Sequence, residues 1–87
     1  MDPKKAKIKG QDIDASIRIG KHGINEGVID EIEKQLEDKD LIKIKLLRNS
    51  PIQDIDRAVD ILKDETSGNP VEVRGKTILL ITEEDDK

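Results

Sequence analysis

Ile17-Arg18-Ile19-Gly20-Lys21-His22-Gly23-Ile24-Asn25 reads as a short apolar strand that runs into a loop with glycine at both ends and then opens a helix. The strand is expected over residues 16–20, with Ile17 and Ile19 on one face and Arg18 on the other. Glycine admits positive φ and lets another backbone come close. The helix start behind the loop offers unpaired amides and the positive end of a dipole, which suits an anion. Lys21 and His22 add charge and hydrogen-bond donors at the tip. The stretch is therefore expected to grip a nucleic-acid backbone. A plain strand-to-helix turn, whose glycines serve geometry alone, weighs equally when the loop is taken by itself.

Beyond the loop, Asn25 is a good N-cap, and Ile24 and Ile29 have the spacing of a hydrophobic staple. Val28, Ile29, Ile32 and Leu36 form one stripe, while Glu31, Glu33, Lys34 and Glu37 face water, so a helix is expected to residues 38–40. Residues 41–47 alternate as a strand, with Ile42, Ile44 and Leu46 on one face and Lys43 and Lys45 together on the other. Ser50-Pro51-Ile52-Gln53 has the form of a capping box with proline at the tolerated first position. A second helix is expected from there, with Ile52, Ile55, Val59 and Leu62 at helical spacing and Gly68 as its C′ residue. Val71-Glu72-Val73, a turn around Arg74-Gly75-Lys76 and a strand over 77–82 then read as a hairpin. At the other end, residues 1–12 carry Lys4, Lys5, Lys7 and Lys9 and form a basic arm, either a short helix or irregular. Residues 83–87 are an acidic tail.

The order is β-α-β-α-β-β after the arm. Right-handed crossovers put both helices on one sheet face. The expected fold class is α/β: a two-layer sandwich with a mixed four-stranded sheet in a single domain, 1–87, whose folded core covers about 15–82. The second sheet face is expected to be partly open, with Lys43 and Lys45 on it. Whether Arg18 joins them depends on register.

Composition narrows the function classes. The chain has 87 residues and no Phe, Trp or Tyr, so its modest core must be aliphatic. Apolar residues at 33% against 41% charged would suggest disorder if scattered, but they fall into periodic runs. Absence of cysteine excludes disulfides and Cys-based zinc sites, and neither a metal nor a cofactor is expected. No apolar run reaches membrane-spanning length and nothing at the start resembles a secretory signal, so a cytoplasmic protein, monomeric and without membrane contact, is expected. An enzyme is not expected: there is one His and no Cys, and Gly20-Lys21-His22-Gly23 lacks the longer glycine-to-glycine span of a Walker loop. Net charge is −4 but uneven, at +3 over residues 1–23, −5 over 26–40, +3 over 41–48 and −3 over 51–67. The arm, strands and glycine loop are basic and both helices acidic, as one small phosphate-contacting surface would need.

Gly20-Lys21-His22-Gly23-Ile24-Asn25, Val28-Ile29-x-x-Ile32, Leu41-Ile42-Lys43-Ile44-Lys45, Glu65-Thr66-Ser67-Gly68 and Arg74-Gly75-Lys76-Thr77-Ile78, in that order and spacing, resemble the CRM domain. This is the chloroplast RNA splicing and ribosome maturation family, whose stand-alone prokaryotic form is the YhbY-type protein. The resemblance covers roughly residues 16–82. It implies a fold similar to the C-terminal domain of bacterial translation initiation factor three. It also implies RNA binding, with the loop playing a part like the GXXG loop of KH domains. For a stand-alone chain it implies ribosomal RNA or large-subunit precursors as partner, in ribosome assembly, with ribosomal proteins as further candidates.

In KH domains small loop residues let phosphates approach main-chain amides. On that pattern Gly20 and Gly23 admit the RNA backbone, Lys21 pairs with phosphate and His22 donates a hydrogen bond. Arg18, Lys43, Lys45, Arg74 and Lys76 are candidate extensions of the phosphate track, each with an ordinary alternative as a solvated strand or turn residue. Stacking of bases on aromatic side chains is unavailable apart from His22, so recognition must rest on backbone and shape. The rival function is a protein-interaction module whose acidic helices dock a basic ribosomal or other partner.

Overall fold

Ile42, Ile44 and Leu46 are buried along β2 (Leu41–Leu46), while Lys45 projects from its other side. The structure, a computed structural model, describes residues 2–82; the acidic tail read at 83–87 lies outside the described residues. Around β2 stand α1 (Pro3–Gly10), β1 (Ile17–Ile19), α2 (Glu26–Asp38), α3 (Ile55–Glu65), β3 (Gly68–Arg74) and β4 (Thr77–Thr82). The sheet order is β1-β2-β4-β3, with β1 parallel to β2 and the other pairs antiparallel. The expected α/β fold with a mixed four-stranded sheet is present. Helices α2 and α3 cover one face through Ile32, Leu36, Ala58 and Leu62, which meet Ile44, Ile78 and Leu80 in a wholly aliphatic core.

The second face is only partly open, because residues 3–10 form the short helix α1, which sits on part of it. Asp2 caps α1 by accepting from the Lys4 amide (3.1 Å), and Pro3 takes the first position, where its missing N–H is no loss. Ala6 and Gly10 are buried against the sheet, and a Cβ at Gly10 would overlap the Leu79 side chain. The physical reason lies in β4, where Ile78, Leu79, Leu80 and Ile81 are all buried. A strand apolar on both faces needs cover on both. The place of Lys43 is corrected: its ammonium donates to the carbonyls of Gly10 (3.0 Å) and Ile13 (3.3 Å), beneath the end of α1 rather than on an open face.

Helix α3 also begins later than the capping-box pattern suggests. Ser50 Oγ accepts from the Ile52 amide (3.1 Å), and Gln53 Nε2 donates to the carbonyls of Leu47, Arg48 and Ser50 (3.2, 3.2 and 2.7 Å). The residues of the apparent box thus hold a turn, and Asp54 is the N-cap, accepting from the Asp56 amide (3.0 Å). Asp54→Ala is expected to cost about 1 kcal/mol of stability, read as a lower urea midpoint by far-UV circular dichroism. An unchanged midpoint would return the cap to Ser50.

At its other end α3 stops at Thr66, whose hydroxyl donates to the Leu62 carbonyl (2.6 Å). Gly68 is therefore not a C′ residue. It opens β3, and a Cβ there would stand 3.0 Å from Leu36 and 3.1 Å from Leu80. The Glu33 carboxylate accepts from the Ser67 amide and hydroxyl (2.9 and 2.8 Å) and ties α2 to this junction. Pro70 is tolerated because β3 is an edge strand with a register shift between Pro70 and Glu72.

Candidate nucleic-acid interface

Because β1 and β2 run parallel, their C-terminal ends lie at the same end of the sheet, where β3 ends and β4 begins. The glycine loop, the 47–54 turn and the β3–β4 hairpin turn gather there. The Leu47 amide donates to the Ile19 carbonyl (2.9 Å), and the Leu46 amide to the Lys76 carbonyl (2.8 Å). The Lys76 ammonium donates to the Gln53 carbonyl and braces the hairpin turn against its neighbour.

Within the glycine loop, the Gly23 amide donates to the Gly20 carbonyl (2.9 Å), which closes a four-residue turn with Lys21 and His22 exposed at its tip. Asn25 then caps α2 by accepting from the Val28 amide (2.9 Å), as the sequence leads one to expect. The two glycines are not equivalent. Gly23 has φ of 67°, and a Cβ there would lie 3.0 Å from Pro51. Gly20 has no positive φ, and a Cβ there would meet Asn49 at 3.6 Å and Leu47 at 3.7 Å, ordinary contact. The fold itself demands glycine at 23 and not at 20. Accordingly, Gly23→Ala is expected to lose about 1–2 kcal/mol, since a left-handed backbone penalises a Cβ, whereas Gly20→Ala leaves the urea midpoint within about 0.5 kcal/mol. Equal losses would make both glycines purely architectural.

Register settles the place of Arg18. Arg18 pairs with Lys45, Lys45 with Thr77, and Thr77 with Arg74. Paired residues share a sheet face, so these four form a row across all four strands, about 14 Å long at the usual strand spacing. The row lies on the face opposite α2 and α3, beside α1 with its exposed Lys4, Lys5, Lys7 and Lys9. Arg18 and Lys45 are exposed, and Arg74 is 70% exposed with only a loose contact to Glu72 at 3.9 Å. Such an exposed pair contributes little and leaves the guanidinium free to turn outward.

The structure thus puts Arg18, Lys45 and Arg74 on one sheet face and Gly20, Lys21, His22 and Gly23 in the loop at the same end of the sheet. Lys76 is there with its ammonium on the Gln53 carbonyl, and Lys43 is withdrawn beneath α1. Arg48, exposed on the 47–54 turn, joins the same end. The sequence reading did not single it out, although the strand-helix-strand order places the turn after β2 beside the glycine loop. On the opposite face α2 carries six acids against one lysine, and α3 four against two bases. Charge is therefore segregated by face, and the cationic end can attract a polyanion while the helices repel it. Among the described residues, no group of three or more His, Cys, Asp or Glu could hold a metal ion, and no helix is long and apolar enough to cross a membrane.

The chain matches the CRS1/YhbY (CRM) domain over residues 3–81, a span that includes α1. Among solved structures it is similar to that of a hypothetical protein from Staphylococcus aureus with an assumed RNA-binding role. The two share 31% identity with a TM-score of 0.76, over 97% of this chain and 86% of that one. No curated protein matches it.

Proposed function

The chain belongs to the CRS1/YhbY (CRM) domain family, and from that premise we propose that it binds RNA by its backbone. The Gly20–Gly23 loop takes a phosphate against its main-chain amides, Lys21 pairs with it, and His22 donates a hydrogen bond. Arg18, Lys45, Arg74 and Arg48 guide the strand away from the loop. Lys43 contributes by seating α1, and Lys76 by bracing the turns. The observation that carries this reading is the meeting of the loop with the cation row at one end of the sheet. Glycine at position 20, where the fold does not require it, supports a close approach from outside.

Without Phe, Trp or Tyr, the protein has no large stacking platform, so affinity rests on a few phosphate contacts and is weak for an isolated strand. The target that fits is ribosomal RNA within a large-subunit precursor, in the cytoplasm, where neighbouring components supply the remaining contacts. The protein acts there as a monomer without catalysis or cofactor. An NMR titration of labelled protein with ribosomal RNA fragments, at low and moderate salt, tests this. Shifts concentrated at residues 20–25, Arg18 and Lys45, and weakened by salt, are expected. Shifts confined to the lysines of α1 would reduce the loop to a turn. Nanomolar binding to a short arbitrary oligonucleotide in physiological salt would refute the backbone-only account.

A further inference from the structure

We propose that the cleft between α2 and α3 is a docking groove for a cationic amphipathic helix of a partner protein. Both helices pack on the sheet and share its core. Between them Ile24, Ile29 and Ile61 form an apolar floor, with Glu26, Asp30 and Glu65 as walls. A second depression adjoins it at Ile61, lined by Ile52, Gln53 and Asp54 together with Arg57. These four isoleucines are only half-buried, so their transfer from water is incomplete until something covers them. The lining calls for an occupant with an apolar stripe and cationic flanks. Helices laid in grooves anchor through residues at i, i+3, i+4 and i+7, and a cleft flanked by helices of 13 and 11 residues matches that length.

Charge selects among occupants. RNA would set phosphates against the acidic walls. A neutral or acidic helix would desolvate Glu26, Asp30 and Glu65 without a counter-charge, which is unfavourable. A second copy could offer only the outer face of its α1, where Ile8 is exposed among Lys4, Lys5, Lys7 and Lys9; one apolar residue makes no stripe to cover the floor, and α2 and α3 are acidic. A partner helix rich in Lys or Arg is the occupant that fits. The groove opens at Ile24 and Asn25, directly after the glycine loop, so a docked helix lies beside the RNA and adds its own cations there.

The groove is tested with a peptide first and with RNA second. Labelled protein is titrated by NMR with a synthetic helical peptide of about fifteen residues, with Leu at i, i+3, i+4 and i+7 spacing and Lys elsewhere. Two controls are a scrambled peptide of the same composition and the same Leu pattern with Glu for Lys. Shifts at residues 24–30 and 61–65 are expected with the patterned cationic peptide, with about tenfold weaker binding for each control. The Asp30→Lys, Glu65→Lys double variant, with a native spectrum, is expected to lose the peptide about tenfold and keep its RNA-induced shifts at residues 20–25. Equal binding of the scrambled peptide would mean charge attraction alone and overturn the groove. Equal binding of the Glu peptide, or shifts on the cation row, would overturn it too. Line broadening of the protein alone that grows with concentration would point to a second copy instead.

Discussion

Lys21→Glu is expected to abolish RNA association without disturbing the fold. Lys21 is exposed at the tip of the turn closed by the Gly23–Gly20 hydrogen bond, away from the aliphatic core. In the proposed complex its ammonium neutralises a phosphate held against the loop amides. Reversal removes that attraction and adds a repulsion of similar size. At contact distance each is about 1 kcal/mol in water and several times larger where the surface lowers the effective dielectric. A combined loss of roughly 2–3 kcal/mol is about a hundredfold in affinity, enough to remove a weak complex from view. Fluorescence anisotropy with a labelled ribosomal RNA fragment measures it. Lys63→Glu makes the same change in net charge on α3, an exposed site on the acidic face, and is expected to alter affinity little. If both variants bind as the parent does, the loop is only a turn. If both weaken binding equally, the response is to net charge and not to the loop.

The largest effect on stability is expected from Leu80→Ala. Leu80 is fully buried at the centre of the sheet, facing the core beneath α2 and α3, with its side chain against Gly68. No aromatic residue is available to collapse into the space, and neighbouring Ile and Leu side chains fill a void poorly. A loss of about 3–5 kcal/mol follows, a large part of the 5–15 kcal/mol typical of whole domains. Far-UV circular dichroism through a urea titration is the suitable readout, because the chain lacks the rings that report tertiary packing by fluorescence. Leu79→Ala offers the comparison. Leu79 faces α1, and its truncation is expected to loosen α1 first, seen as faster amide exchange over Ala6–Gly10 than over β2. A drop below about 1 kcal/mol for Leu80→Ala would mean that the core repacks far more readily than buried aliphatic cores do.

Much of the fold was legible in the chain. The stripe Val28, Ile29, Ile32 and Leu36 with Asn25 before it marked α2, and the alternation through Ile42, Ile44 and Leu46 marked β2. Gly75, at φ of 57°, marked the hairpin turn. The misreadings share one cause. Ser50 and Gln53 have the identities of a capping box, but Gln53 finds better acceptors in the carbonyls of the turn before it, and the helix waits for Asp54. Gly68 has the identity of a helix stop, but its small size serves the contact with Leu36 and Leu80. Lys43 alternates with Lys45 along β2, yet the carbonyls that capture it come from the end of α1 and the loop after it, 30 and more residues earlier.

The sequence by itself determined α2 with its Asn25 cap, the body of α3, the strands and the hairpin turn, the aliphatic character of the core and the glycine loop, because periodicity depends on residues close along the chain. Only the tertiary structure decided that Arg18 stands in register with Lys45 and Arg74, that α1 covers Leu79, that Gly23 and not Gly20 is required by the backbone, and that a cleft remains between α2 and α3. Each depends on which distant surfaces meet, and local periodicity says which face of an element is apolar without saying what will cover it.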